Sequence, residues 1–261
     1  MTKLAANLTM LFTELPFMER FEAAARAGFR GVEFLFPYAF HADQIADKLN
    51  LFQLDLVLHN LPAGNWEAGE RGIACHPDRI QEFRDGVDEA IRYAKVLGVK
   101  QLNCLVGIIP LGVSWEDAHV TTVDNLSYAA GKLKEIGVRL LIEPINTFDI
   151  PGFFLSHTRQ AAGLIRETGS DNLFIQYDIY HMQRMEGELL NTIKNNFALI
   201  KHLQLADNPG RFEPGTGEIN YHFLLEQLDA MGYQGWIGCE YKPKTSTLEG
   251  LGWRAAHQIP V

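Results

Sequence analysis

"IGVRLLIEPIN", residues Ile136–Asn146, holds the end of one element and the whole of the next. Gly137 suits the left-handed position that closes a helix. The stretch Arg139–Ile145 then reads as a buried strand with Glu143 set into its far end. Burying an ionised carboxylate is costly unless a cation or a proton compensates it. These residues therefore mark both a helix-to-strand joint and a strand end with chemistry.

The joint recurs. In "AGFRGVEF", "LGVKQLNC" and "MGYQGWIG", Gly28, Gly98 and Gly232 follow helical stretches and precede apolar runs. Outward from these joints the expected strands are Leu4–Leu8, Gly31–Phe36, Asp55–Asn60, Gln101–Val106, Arg139–Ile145, Leu173–Tyr177, Lys201–Leu205 and Trp236–Tyr241. Amphipathic segments alternate with them: Pro16–Ala27, His41–Leu49, Asp78–Leu97, Trp115–Ile136, Ser156–Thr168, Glu186–Asn196 and Tyr221–Met231. No strong helix is expected after the eighth strand, and the tail Arg254–Val261 is expected to be loose. Units of about 33 residues are a normal size for a strand plus a helix. Eight of them imply a parallel sheet closed as a single (β/α)8 TIM barrel spanning residues 1–261. An open doubly wound sheet would carry a GxGxxG turn after its first strand, and "LAANLTMLF" has none.

Composition narrows the function. The 23 basic and 32 acidic residues leave a net charge of −9, which repels a nucleic-acid backbone. No stretch approaches the roughly 18 apolar residues of a membrane span. "MTKLAANLTMLFTELPF" is too broken by polar residues for a signal-peptide core. Cys75, Cys104 and Cys239 are few and far apart, without CxxC spacing, so neither a disulfide framework nor a thiolate zinc site is expected. The expectation is a cytoplasmic protein without membrane or nucleic-acid partners. P-loop and GxSxG motifs are missing, and no nucleotide cofactor is expected.

Polar residues close the late strands. Glu143, Asp178, Gln204 and Glu240 end the fifth to eighth strands. In a barrel these ends converge on one mouth, where barrel enzymes work. Singly, each would be a helix cap or a surface ion pair. Together they offer oxygen ligands for a hard cation, Mg2+ or Mn2+. Its requirement stays open, and Gln204 is equally readable as a structural amide. His181 lies three residues after Asp178, in what reads as a loop, whereas His202 and His59 read as core residues. Arg71 and Arg211, in long glycine-rich loops, and Lys242 could hold a substrate carboxylate. Trp66 reads as a lid residue.

Longer strings carry a resemblance. "ANLTMLF", "LPAGNWEAGERGIAC", "IEPIN", "IQYDIYHMQRMEGEL", "EPGTGEINY" and "GWIGCEYKP" resemble the hydroxypyruvate isomerase family, from about residue 4 to residue 253. The wider group is the xylose-isomerase-like barrel superfamily, with its ketose 3-epimerases and the endonuclease IV type of repair enzyme. The resemblance implies interconversion of hydroxypyruvate and tartronate semialdehyde, with Glu143 and Glu240 as catalytic glutamates. It also implies that His181 contacts substrate. Related epimerases hold a divalent metal through Glu, Asp, His and Glu; here Gln204 stands in place of the histidine. The nearest alternative within the family is a 2-oxo-tetronate isomerase. Outside it stand a non-catalytic sugar-acid binding protein and a repair endonuclease, which would need a histidine-rich zinc cluster and a basic face. The expected partner is a small oxo or hydroxy acid, with a homo-oligomer left open.

Overall fold

The computed structural model describes residues 2–256. Eight strands form a closed barrel in sequence order: β1 (Lys3–Asn7), β2 (Gly31–Glu33), β3 (Asp55–Asn60), β4 (Gln101–Cys104), β5 (Arg139–Ile142), β6 (Leu173–Asp178), β7 (Ile200–Leu205) and β8 (Trp236–Cys239). Every neighbouring pair is parallel, and β1 pairs with β8. The helices between them are α1 (Phe17–Arg26), α2 (Ala42–Phe52), α3 (Ile80–Leu97), α4 (Trp115–Glu135), α5 (Thr158–Thr168), α6 (Ile179–Met185), α7 (Leu189–Asn195) and α8 (Tyr221–Ala230). The four joint glycines all take positive φ, from 69° at Gly137 to 86° at Gly28.

Two expectations need correction. His181 lies in α6, not in a loop, because Asp178 at the end of β6 caps a short helix directly. The segment after β8 carries only two four-residue helices, α9 (Thr247–Gly250) and α10 (Trp253–Ala256), in keeping with the weak helix expected there, but the second takes in the start of the expected loose tail. Arg254 is buried there: its Nη2 donates to the Ala27 carbonyl at 2.9 Å. Residues 257–261 of the expected tail lie outside the described residues.

Most of the apolar core lies between the barrel and its helices. The interior is layered. Ala5, Val57, Leu58 and Leu141 form a separate small cluster, with Phe174 and Trp236 packed against it. Side chains alternate along a strand, so residues two positions further on point the same way. After Ala5, Leu58, Leu141, Phe174 and Trp236 these are Asn7, Asn60, Glu143, Gln176 and Gly238. The interior is thus apolar at its base and polar towards the carboxyl ends of the strands.

Candidate active site

The mouth holds a cavity of about 680 Å3 lined by Asn7, Glu143, Gln176, His181, Gln204, Arg211 and Glu240, among others. Arg71 and Lys242 line it as well, and Lys242 is exposed. Seven of the expected site residues therefore border one space. The eighth, Asp178, is buried beside it, 3.7 Å from Arg211 and 3.6 Å from His181.

Glu143 follows the last ladder residue of β5, and Pro144 after it has no N–H to continue the strand. Its Oε2 accepts from Asn103 Nδ2 at 3.0 Å and from Gln176 Nε2 at 2.9 Å. Its Oε1 faces His181 Nε2 at 3.9 Å. Burial, then the charges of Glu240 and Asp178, push its carboxyl well above the usual range. A proton on Glu143 thus offsets the cost of burying it.

Glu240 follows β8 in the same way. Its Oε2 accepts from Gln204 Nε2 at 2.5 Å and from Asn7 Nδ2 at 3.0 Å. Its Oε1 accepts from Arg211 Nη2 at 2.7 Å. Burial raises its pKa, Arg211 opposes that rise, and Asp178 and Glu33 add to it, leaving it at about 8. The two glutamates match in one respect: each is tied by Oε2 to side-chain amides, while each Oε1 faces a side chain of the cavity lining.

Arg211 has a left-handed backbone (φ 54°), unusual for a side chain of this size. Asp207 holds that loop in shape by accepting from the backbone N–H groups of Asn208, Gly215, Gly217 and Ile219. Arg71 stands on another tied loop. Its guanidinium stacks on Trp66 at 4.1 Å and donates to the Trp66 and Glu70 carbonyls. Gly72 lets the loop press against the next strand end: a Cβ there would lie 2.0 Å from the Leu105 carbonyl oxygen.

The protonation of His181 follows from Asn146. The Asn146 Oδ1 accepts from the Phe148 and Asp149 N–H groups, which fixes the amide orientation. Its Nδ2 then faces His181 Nδ1 at 2.6 Å, so Nδ1 accepts. Burial holds this imidazole well below its ordinary pKa, so it is neutral and carries its proton on Nε2.

The donor set bears on a cation. Ligand atoms of Glu143, Asp178 and His181 lie within 4.8 Å of one another, and Asp178 Oδ2 is buried without a hydrogen-bond partner. These two carboxylates fit Mg2+ or Mn2+, which commonly take one or two carboxylates together with substrate. As oriented, His181 Nε2 presents a proton rather than a lone pair. Gln204 departs from the expected ligand role, because its Oε1 accepts from Gln176 Nε2 at 2.6 Å and its Nε2 serves two carboxylates. Glu240 is already paired with Arg211.

Sequence reading missed Glu33, the last residue of β2, and the amides of Asn7, Asn103 and Gln176. The string "GVEF" contained the signal, an acid closing an apolar run, but in an early strand. Tyr180, Asp149 and Arg184 were missed too. They form a bonded group on the wall, with Arg184 Nη1 donating to Asp149 Oδ1 at 2.9 Å and to the Tyr180 hydroxyl at 2.7 Å.

A closed parallel barrel with two buried carboxyls in its mouth has the arrangement of a barrel enzyme, and such a pair is suited to acid–base chemistry. The chain belongs to the xylose isomerase-like TIM barrel family, whose pattern matches residues 21–257. It is 59% identical to the hydroxypyruvate isomerase of Escherichia coli (strain K12) over 253 residues, covering 97% of this chain and 98% of that one. It is 44% identical to the 2-oxo-tetronate isomerase of Cupriavidus necator, covering 97% of each. Among solved structures, an AP endonuclease, family 2, from Brucella melitensis superposes with a TM-score of 0.96 at 46% identity, over 98% of this chain and 99% of that one.

Proposed function

We propose that the protein interconverts hydroxypyruvate and tartronate semialdehyde (2-hydroxy-3-oxopropanoate), moving a proton between C3 and C2 through an enediol. One observation carries this: Glu143 and Glu240 line the same cavity, each anchored by Oε2 to side-chain amides, with Oε1 facing His181 in one and Arg211 in the other. Glu240, in contact with the Arg211 guanidinium, is the more readily ionised and takes the base role. Glu143 has no cation in contact among the described residues and retains its proton as the acid.

In the forward direction Glu240 removes a proton from C3. The electron pair left behind forms the C2–C3 double bond, and the C2 oxygen gains charge. His181, with its proton on Nε2, supplies a donor for that oxygen. The C3 hydroxyl then passes its proton to the C2 oxygen as Glu143 delivers a proton to C2, and the aldehyde forms. The reverse reaction exchanges the two roles. Arg71, which has no carboxylate partner among the described residues, is the fork for the substrate carboxylate, and Lys242 adds a second cation at the rim. Were Mg2+ or Mn2+ bound, Asp178 and Glu143 in its ionised form would hold it, and the ion would supply polarisation of a carbonyl in place of the Glu143 proton.

A four-carbon 2-oxo-tetronate is a second reading, favoured by a cavity of about 680 Å3 and by the relative at 44% identity. The test is a panel of hydroxypyruvate, 2-oxo-tetronates and free ketoses, with solvent exchange followed at C3. Glu143→Gln and Glu240→Gln each lose at least about 100-fold in kcat while retaining ligand. Full retention of the C3 label in product, or variants that turn over normally, would overturn the proton-transfer reading. Ligand binding without turnover of any acid would make the protein a binding module.

A further inference from the structure

We propose that Glu33 is a positioning residue for the isomerisation: through the amides of Asn7 and Gln204 it holds one oxygen of Glu240 and so presents the other to the substrate. The inference rests on the isomerase reading and adds a residue to it.

Glu33 is completely buried at the end of β2 and does not line the cavity. It therefore acts through other groups. Its Oε1 accepts from Asn7 Nδ2 at 3.0 Å and from Gln204 Nε2 at 2.8 Å, and its Oε2 pairs with His202 Nε2 at 2.7 Å. The same two amide nitrogens reach Oε2 of Glu240. Each amide group thus bridges the two carboxylates with its two N–H bonds. Neither amide can turn over without cost. Gln204 Oε1 accepts from Gln176, which in turn donates to Glu143, and Asn7 Oδ1 accepts from the Thr9 N–H. The bonds therefore run without a break from His202 and Glu33 through Glu240 and Gln204 to Gln176 and Glu143.

Two further observations point to a built arrangement. Gly238, inward on β8, leaves the room that the Glu33 carboxylate fills: a Cβ at that position would lie 2.2 Å from Oε1 and 2.4 Å from Oε2. A buried acid–histidine pair is also an expensive way to fill a barrel, since apolar residues of similar volume do so at no electrostatic cost. Ala5, Leu58 and Leu141 fill much of the layer beneath in that apolar way. What the acid adds is an acceptor that fixes which way two amides point.

The experiment compares Glu33→Met, Glu33→Gln and Gly238→Ala with the wild type, on whichever acid of the panel the wild type converts. Thermal melts check folding. Two quantities are read: kcat against KM, and the ratio of solvent exchange at C2 of the aldehyde substrate to its conversion. In that direction Glu143 removes the C2 proton and Glu240 completes the reaction. Displacing Glu240 therefore slows completion and leaves Glu143 time to exchange.

Glu33→Met removes the acceptor at similar length. It is expected to lower kcat by roughly 100-fold with KM within about threefold, and to raise the exchange ratio at least about tenfold. Glu33→Gln keeps an oxygen for both amides, and His202 can meet its NH2 group in the other tautomer. It is expected to stay within about threefold of wild type. Gly238→Ala, which crowds the carboxylate, shifts the ratio in the same direction as Glu33→Met and carries the test if that variant does not fold. An unchanged exchange ratio in the folded variants, or equal losses in Glu33→Met and Glu33→Gln, overturns the proposal. A folded wild type that converts no acid of the panel defeats the isomerase reading itself.

Discussion

Replacing Glu240 by Gln should make the protein more stable at alkaline pH while removing its activity. The folded protein raises this carboxyl from 4.5 to about 8, chiefly by burial. Between those values the native state holds a proton that the unfolded chain has released. By linkage, stability is fully present below about pH 4.5 and is lost as the pH rises towards 8. Each pH unit of such a window is worth about 1.4 kcal/mol, so Glu240 alone removes up to about 5 kcal/mol by the alkaline end. A chain of this size shifts by at least about 2 °C per kcal/mol, which places the effect near 10 °C in Tm. Glutamine has the shape of the protonated side chain and does not ionise. The assay is thermal and urea unfolding of wild type and Glu240→Gln from about pH 5 to pH 9, with chelator present so that cation binding does not contribute. The difference between the two proteins should widen from pH 5 to about pH 8 and then hold constant. Parallel curves would show that Glu240 ionises in the folded protein as easily as in the unfolded one, and would refute the account of its burial.

Three other outcomes follow from the same geometry. With Glu240 as the base, kcat/KM should rise through neutral pH and level off above about 8, the carboxylate being the active form; a rate already falling across that range would reverse the assigned roles. Arg71→Ala should raise KM by roughly 30-fold or more with little change in kcat, from the loss of charge-assisted bonds of about 2 kcal/mol, and Arg71→Lys should recover only part of it. Asn146→Ala releases Nδ1 of His181, so nitrogen NMR should report a changed tautomer population together with a kcat lowered by about tenfold; an unaltered spectrum would remove Asn146 from the site.

The barrel was legible because its grammar is local. A glycine at each of four joints and alternating apolar runs sufficed to place eight strands, and Glu143 and Glu240 stood out as acids ending apolar runs. Boundaries are less legible, most of all where polar residues end an apolar run: β5 ends at Ile142, not Ile145, because Pro144 cannot donate. Helix α6 was missed because "DIYH" has the β-branched and aromatic character of strand, and only the Asp178 cap turns the chain. Asp178 serves two ends at once. Its Oδ1 accepts from the Tyr180 and His181 N–H groups as a cap, while Oδ2 is left unpaired in the interior. The amides were illegible for a different reason. A neutral Asn or Gln in a strand shows no sign in sequence of whether it binds a ligand, and its meaning comes only from the neighbours that barrel closure supplies.

Those amides answer the question that Glu143 raised. Glu33, Glu143, Asp178 and Glu240 converge in one buried region, and Arg211 is the arginine in contact with two of them. Four ionised carboxylates could not remain there together. An amide NH2 group can serve two acceptors at once without introducing a charge of its own, so Asn7 and Gln204 bring Glu33 and Glu240 close while adding nothing to titrate. Gln176 does the same between Glu143 and the Gln204 oxygen. A histidine at position 204 could not reproduce this, since a ring presents its nitrogens in divergent directions and has no oxygen to accept from Gln176. Gln204 is therefore suited to joining the two glutamates rather than to binding a cation. The electrostatic burden then falls on protons and on Arg211, which lets one glutamate stay protonated while the other ionises, as transfer across a C2–C3 unit requires.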